Sequence, residues 1–452
     1  MSQLPTGWEQ CALEQIVQDV TYGYTAKSNS SVGDARMLRI TDIQNNKVDW
    51  TSVPYCQIST ADTQKYALRK LDLVFARTGA TVGKSFLIKE EVKQAVFASY
   101  LIRVRPSLTE MAGYLSYFFG SDSYWNQIVD FSAGIGQPNV NGSKLKQLQI
   151  PLAPLPEQKR IADKLDSVLA RVDACRDRLD RLPGLLKRFR RSILDAATSG
   201  RLTKDWRSQP ENISQTPACW TICKIKDAGK IQLGRQRSPK FHSGENMRPY
   251  LRVQNVYEDR LDLSDVMSMD FPGEDFERYQ LYPGDILLNE GQSPEYLGRP
   301  AMYRGELPGA CFTNTLIRFQ AYSHVKPEYA LMVFRNHMHS GRYITEGTIT
   351  TNIAHLGAGR FSEVEFPLPP QEEQTEIVRR VELLFAFADR LEARLATARR
   401  QVGQLTPALL AKAFRGELVA QDPADEPAAE LLKRLAAQRA AAPKAKRGRS
   451  PT

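Results

Sequence analysis

The 452-residue sequence contains no long apolar run, and its opening segment, Met1-Ser-Gln-Leu-Pro-Thr-Gly-Trp8, is neither basic nor apolar. A chain of this kind is expected to have no signal peptide and no membrane span. Cysteine is sparse and scattered, at Cys11, Cys56, Cys175, Cys219, Cys223 and Cys311. Cys219 and Cys223 form one CxxxC pair, but no second pair or nearby histidine completes a zinc site. A reduced, cytoplasmic protein without bound metal is therefore expected. The 5 histidines are too dispersed for a Ser–His–Asp arrangement, and His337 and His339, with no third ligand nearby, read as ordinary polar positions.

Catalytic motifs are missing as well. Gly79-Ala-Thr-Val-Gly83-Lys84-Ser85 resembles a phosphate-binding loop but is one residue too short between its glycines. The following Phe86-Leu-Ile reads as a strand, not as the helix whose N-terminus would hold phosphate. Asp285 with Glu290 is a weak nuclease-like acid pair. Its counterpart, Asp72, is followed by Arg77 where the second acid would stand. No Asn/Asp-Pro-Pro-aromatic tetrapeptide marks a methyltransferase. No catalytic, cofactor-binding or metal-binding residue is predicted.

What the sequence does hold is a long heptad seam, Ile161, Leu165, Val168, Val172, Cys175, Leu179, Leu182, Leu186, Phe189 and Ile193. Its steps alternate four and three, the pattern of a helix that pairs with another. The seam recurs 216 residues later without a gap, as Ile377, Val381, Leu384, Ala388, Leu391, Leu395, Ala398, Val402, Leu405 and Leu409. The lead-in recurs too, Pro151, Gln158 and Ile161 against Pro367, Gln374 and Ile377. So does the exit, Gly200-Arg-Leu202 against Gly416-Glu-Leu418, where the glycines suit helix C-caps. Pro154 and Pro156 are expected to keep the chain extended before the first helix. Pro183 and Pro407 are expected to kink or break each helix once.

The segments before the helices also repeat, at offsets drifting from 211 to 216. Gly7-Trp8 corresponds to Cys219-Trp220, Leu38–Ile43 to Leu251–Val256, Asp72 to Asp285, and Phe97–Arg103 to Phe312–Arg318. Strands are predicted at Met37–Ile43, Leu71–Ala76, Ser85–Ile88 and Val96–Val104, and a helix at Met111–Asn126 with its partner at Glu328–Met338. A short amphipathic helix is expected from Asp425 to Ala441, with Ala429, Leu432 and Leu435 on one side, before a basic tail (Lys444, Lys446, Arg447, Arg449). The predicted division is thus a mixed domain over 1–150, a coiled-coil helix over 151–207, a second mixed domain over 208–366, a second helix over 367–420, and the remainder over 421–452. Lys and Arg number 61 against 51 Asp and Glu, a net charge of +10. That surplus suits a polyanionic partner, nucleic acid first, or else an inert basic surface.

A globular domain, a Pro-Leu-x-Pro-Leu-Pro-Glu-Gln lead-in to a long helix, and then the whole arrangement again resemble the specificity subunits of type I restriction-modification systems. The resemblance spans nearly the full chain. It implies an α+β fold: two pseudo-repeated target recognition domains joined by two long antiparallel coiled-coil helices. It further implies double-stranded DNA as a partner, each domain reading half of a bipartite, asymmetric target. Two modification subunits carrying S-adenosylmethionine for adenine-N6 methylation are implied, and in some systems two ATP- and Mg-dependent restriction subunits that translocate and cut in phage defence. The cofactors would lie in those partners and none in this chain.

Independently, roughly 26 residues from Glu157 to Leu182 span about 39 Å, near the 34–36 Å of one DNA turn. Candidate DNA-binding residues are polar and basic positions expected in exposed loops. In the first domain they are Tyr22, Lys27, Arg77, Thr78, Lys84, Gln137 and Asn139. In the second they are Arg235, Arg237, Lys240, Asn289, Gln292, Arg299, Thr351 and Asn352. Arg and Lys reach guanine O6/N7, Asn and Gln read adenine N6/N7, and the same side chains also serve phosphates. The helix-pair seam is expected to rest on Ile161, Leu165, Val168, Val172, Leu179, Ile377, Val381, Leu384, Leu391 and Leu395. Three other readings remain open: a subunit of a methyltransferase-only system, a coiled-coil scaffold whose domains bind protein, and, disfavoured by the missing motifs, a stand-alone nuclease or methyltransferase.

Overall fold

The computed structural model describes residues 4–44, 46–132, 140–207, 217–350 and 353–441. In the first half, strands β1 (Glu9–Ala12), β2 (Val17–Tyr22), β3 (Ala35–Leu38), β4 (Tyr55–Cys56), β5 (Leu73–Ala76), β6 (Ser85–Leu87), β7 (Ala95–Phe97) and β8 (Leu101–Pro106) precede helices α1 (Met111–Phe118) and α2 (Asp122–Ser132). Strand β9 (Gln149–Leu152) then leads into helix α3 (Leu155–Thr198). The second half runs β10 (Thr221–Lys224), β11 (Gly229–Leu233), β12 (Met247–Leu251), β13 (Met267–Asp270), β14 (Ile286–Asn289), β15 (Gly291–Gln292), β16 (Pro300–Met302), β17 (Cys311–Phe312) and β18 (Leu316–Ala321). Helix α4 (Pro327–Ser340), strands β19 (Thr348–Thr350), β20 (Ile353–His355) and β21 (Glu365–Leu368), and helices α5 (Gln371–Phe414) and α6 (Ala428–Ala441) follow, with shorter strands and helical turns between these elements in both halves.

The internal repeat is a repeat of topology. The first half has a four-stranded antiparallel sheet in the order β2-β8-β5-β6, and the second has β11-β18-β14-β16. Each has a three-stranded sheet, β4-β3-β7 and β13-β12-β17, with one parallel pair (β3 with β7, β12 with β17). Each also pairs its first strand with the strand before the long helix, β1 with β9 and β10 with β21.

Two predicted elements divide. The run Val96–Val104 is two strands in different sheets, turned at Ala98, where the Leu101 N–H bonds the Ala98 carbonyl at 2.8 Å. The helix over Met111–Asn126 breaks between Phe118 and Asp122, where the Ser121 hydroxyl accepts from the Tyr124 N–H at 3.3 Å. A serine at such a point offers the backbone an alternative partner and starts a new helix.

The long helices, by contrast, do not divide. Both α3 and α5 run 44 residues, with Pro183 and Pro407 inside them. Each proline removes one hydrogen bond, but the helical bonds on either side persist, so the expected breaks do not occur. Helix α3 also starts earlier than predicted. Pro156 lies in its first turn, where a missing N–H costs nothing. Gln158 closes this turn by donating from Nε2 to the Ala153 carbonyl at 2.8 Å, and Gln374 does the same to Pro369 at 3.0 Å. The recurring glutamine of the lead-in is therefore a clamp on the extended segment before the helix. Gly200 (φ 79°) and Gly416 (φ 73°) adopt the left-handed conformation expected of C-caps.

By contact the chain forms two compact units, residues 1–178 with 398–452, and residues 179–397. Each unit combines one globular half with part of both long helices. In the first, Ile161 and Leu165 share a core with Leu410, Ala413 and Phe414. In the second, Ile193, Leu194 and Ala197 share one with Ile377 and Val381. Within the second unit Arg190 pairs with Asp389 at 2.6 Å, and Leu202, just past the end of α3, accepts from Arg380 at 2.8 Å, so rising numbers along α3 meet falling numbers along α5 and the helices are antiparallel.

Along the seam, Ile161, Leu165, Val172, Ile377, Val381 and Leu395 are buried, while Val168, Leu179, Leu384 and Leu391 are half-buried. Cys175, Leu182 and Leu405, also placed on the seam by their spacing, are exposed. None of these three joins a core cluster, so the spacing overstates how far the seam is covered. Helix α6 packs on the first unit through Ala428, Leu431 and Leu435, with Leu432 partly buried against the same core; of the expected Ala429, Leu432 and Leu435, the two leucines are on the packed face and Ala428 takes the place of Ala429. It is tied down by Arg160–Asp425 at 2.7 Å and by Arg439 donating to the Val17 carbonyl at 2.8 Å. The basic tail lies outside the described residues.

Candidate nucleic-acid interface

The loops at one end of each four-stranded sheet are held by matching backbone bonds. In the first half, the Arg77 N–H donates to the Tyr100 carbonyl (3.1 Å), and the Arg77 carbonyl accepts from Val140 (3.1 Å). Ala76 bonds both ends of the next loop, donating to the Lys84 carbonyl and accepting from Gly83, each at 2.9 Å. In the second half, Glu290 donates to Thr315 (3.0 Å) and accepts from Leu356 (2.9 Å). Asn289 donates to Arg299 (3.2 Å) and accepts from Gly298 (3.0 Å). Arg77 therefore corresponds to Glu290, Lys84 to Arg299, and Tyr100 to Thr315. Gly23 and Gly234 are also equivalent, and a Cβ at either would lie 2.1 or 2.3 Å from a carbonyl oxygen, of Ala98 or Thr313 respectively. Only glycine permits that approach.

On this shared frame the side chains differ. In the first half the Arg77 guanidinium lies 4.9 Å from the centre of the Tyr22 ring, and the Tyr22 hydroxyl accepts from the Gly142 N–H at 2.8 Å. The Arg77 Nε is buried and has no hydrogen-bond partner among the described residues. Tyr22 and Arg77 are thus brought together, with Thr78 half-buried next to them. Lys27 is exposed on the segment after β2. Lys84 is exposed but lines a cleft of about 920 Å³ together with Asp166 and Asp173 of α3, so carboxylates share its surroundings. Gln137 and Asn139 lie outside the described residues.

In the second half Arg299 sits between the rings of Tyr257 (4.6 Å) and Tyr296 (5.1 Å), and Arg260 lies over Tyr257 at 4.7 Å. Burial lowers the Arg299 pKa from the ordinary arginine value, though arginine at this position keeps its charge. Arg237 and Lys240 are exposed, and Lys240 lies 4.7 Å from the centre of the Phe241 ring. Gln292 is half-buried on β15, opposite Ala354. Thr351 and Asn352 lie outside the described residues.

Two expected loop residues are interior. Arg235 is buried between Phe241 (3.7 Å) and Phe271 (5.0 Å), ion-paired with Asp275 at 2.9 Å and bonded to the Asp270 carbonyl. Asn289 is fully buried, its Nδ2 donating to the Val256 carbonyl at 3.5 Å. Neither is presented to a ligand, and both hold the frame. Conversely, residue-by-residue reading missed Tyr100, which is 64% exposed, as well as Tyr257, Tyr296, Glu290 and His355. A large aromatic in the turn of the repeated Phe97–Arg103 segment was the available signal for Tyr100. Glu290 and His355 approach at 3.3 Å.

The acids that suggested a nuclease have structural partners. Asp72 forms two 2.7 Å bonds with Arg105. Burial raises the Asp285 carboxyl pKa even though Gln320, the Tyr282 N–H and Arg318 (3.5 Å) oppose it. The loop over Gly79–Thr81 is a single 3-10 turn leading into β6, with no phosphate-binding helix. Among the described residues, no group of His, Cys, Asp and Glu is placed to hold a metal ion, and no helix is long and apolar enough to cross a membrane. His337 and His339 lie on α4. His339 bonds Glu258 at 2.8 Å. Burial works against the Glu258 carboxylate, but His339 and Arg335 hold its pKa down at about 2.

Comparison with known proteins agrees with this architecture. Residues 5–183 and 217–398 match the type I restriction modification DNA specificity domain. The chain is 31% identical to the type I restriction enzyme EcoKI specificity subunit of Escherichia coli (strain K12), over 97% of each chain. It is 30% identical to the StySPI specificity subunit of Salmonella potsdam, over 97% of this chain and 96% of the other. Among solved structures, the HsdS subunit from Thermoanaerobacter tengcongensis shares the fold, with a TM-score of 0.62 at 18% identity, covering 92% of this chain and 98% of that one. The family match covers both halves of the repeat and the relatives match over 96–97% of their length, so the chain belongs to the specificity subunits of type I restriction-modification systems.

Proposed function

We propose that this chain directs a type I restriction-modification complex to a bipartite, asymmetric DNA target, one loop cluster reading each half. The observation that carries the reading is the matched loop frame bearing unlike side chains, Arg77 with Tyr22 in one half and Glu290 with His355 in the other. Equal frames predict equivalent docking on DNA, and unlike side chains predict unlike half-sites. The relatives named above are specificity subunits of restriction enzymes, which supports two modification subunits, and in a restricting system two restriction subunits, as the partners of this chain. The uninterrupted helices α3 and α5 supply a stiff spacer that fixes the number of unread base pairs. The domain division at 1–150, 151–207, 208–366, 367–420 and 421–452 belongs to the same reading.

The test is methylome sequencing of cells expressing this chain with its modification subunit. A single split motif, with unlike halves and methyladenine on both strands, is expected. Methylation at one short continuous site would refute the proposal.

A further inference from the structure

The correspondence of Arg77 with Glu290 allows a step that rests on the DNA-reading proposal and goes beyond it. Both residues follow the last residue of the equivalent strand (β5 or β14), and both have their N–H and carbonyl fixed by equivalent partners. The frame therefore places the two side chains at the same station of two similar loop clusters, with opposite charge.

Opposite charge distinguishes between contacts that are otherwise hard to separate. An arginine at a DNA-facing station serves a phosphate or a guanine equally well. A carboxylate cannot serve a phosphate, because like charges repel. Its available partners on duplex DNA are base amines, the cytosine N4 amine first. If the stations are equivalent, the station is a base-reading one, and Arg77 reads a base as well.

Local packing fits this role. Stacking on Tyr22 orients the Arg77 guanidinium, and among the described residues no carboxylate pairs with it. Glu290 approaches His355 at 3.3 Å, and both side chains retain solvent exposure. We infer that Arg77 and Glu290 are equivalent specificity-determining residues, Arg77 selecting a guanine in one half-site and Glu290 a cytosine at the corresponding position of the other.

The experiment compares methylomes of the assembled complex carrying wild-type chain, Arg77→Gln, Arg77→Lys, Glu290→Gln or Glu290→Asp. Glutamine reads adenine in place of guanine or cytosine. R77Q should therefore change one base pair of one half-site, lowering preference for guanine there roughly tenfold or more, with the other half unaltered. E290Q should change one base pair of the other half-site in the same way. R77K and E290D, which keep the charge, should retain the original base with a broadened preference. An unchanged motif, or activity reduced equally at every site, overturns the inference, since that is the behaviour of a phosphate contact or a purely structural residue. Complete loss with both variants of one residue, in complexes that still assemble, overturns it likewise. If the wild-type motif is not bipartite, the underlying reading fails and the inference with it. A bipartite wild-type motif with unaltered variants refutes the inference alone.

Discussion

The buried carboxylate of Glu157 accepts a hydrogen bond from the indole nitrogen of Trp8 at 3.0 Å, joining the start of the chain to the first turn of helix α3. Glu373 repeats the contact with Trp220 at 2.9 Å. The two sites are not equally satisfied. Glu373 also accepts from Thr203 at 2.6 Å and pairs with Arg207 at 2.5 Å, both almost free of solvent. Glu157 has one oxygen buried with no partner among the described residues, and burial raises its carboxyl pKa despite the Trp8 bond and the nearby Arg160.

Removing charge at the two sites should therefore have unequal effects. Glu373→Gln takes the Glu373 charge away from the Arg207 guanidinium in a site almost free of solvent and should destabilise the second unit by about 3 kcal/mol. Glu157→Gln removes an ionised group that its surroundings penalise and should change stability by less than about 1 kcal/mol. Urea unfolding followed by tryptophan fluorescence reports on both, because Trp8 and Trp220 are the bonded indoles. Equal losses at the two sites would contradict this account.

Those contacts also show how far sequence reading reaches. The gapless recurrence from Ile161–Ile193 to Ile377–Leu409 was legible because helical packing is periodic and local. The sheet repeat was legible through its anchors, Leu38–Ile43 against Leu251–Val256 and Phe97–Arg103 against Phe312–Arg318. The loop side chains were not. Arg235 is interior because Phe241, Phe271 and Asp275 enclose it, and nothing near Arg235 in sequence announces partners up to 40 residues away. Asn289 ends a strand that happens to be covered. Glu290 stands in the sequence only as an acid after a strand, because its equivalence with Arg77 is set by backbone bonds to Thr315 and Leu356, 25 and 66 residues away.

His337 provides a pH prediction for the second unit. It lies on α4 with its ring edge-on to Tyr343 at 5.7 Å, and its Nδ1 has no partner among the described residues. Burial, with a smaller contribution from Arg342, pushes its pKa down to about 4. An unfolded histidine titrates near 6.5. Between these values the unfolded chain binds a proton that the folded chain refuses, so stability is lost as pH falls through that window. About 1 kcal/mol should be lost by pH 5.5. Thermal unfolding at pH 7.5, 6.5 and 5.5 should show a steeper decline for the wild type than for His337→Phe. Parallel profiles would remove His337 from the explanation.

The continuity of α3 through Pro183 makes the spacer proposal testable by length. Around Cys175 to Leu185 most side chains are exposed, so added residues there meet little packing. Four alanines inserted after Arg181 would lengthen the helix by about 6 Å and advance it by about 40° beyond a full turn. DNA rises about 3.4 Å per base pair, so the unread spacer should lengthen by one or two base pairs while both half-sites keep their sequence. Because α5 runs antiparallel alongside, a matching insertion near Thr397 keeps the pair in register and should give the same shift with less loss of stability. Methylome sequencing of the variant complex reads the outcome directly. Half-sites unchanged at the original spacing would show that the helices do not set the distance. Altered half-sites would show that the insertion had disturbed the loop clusters instead.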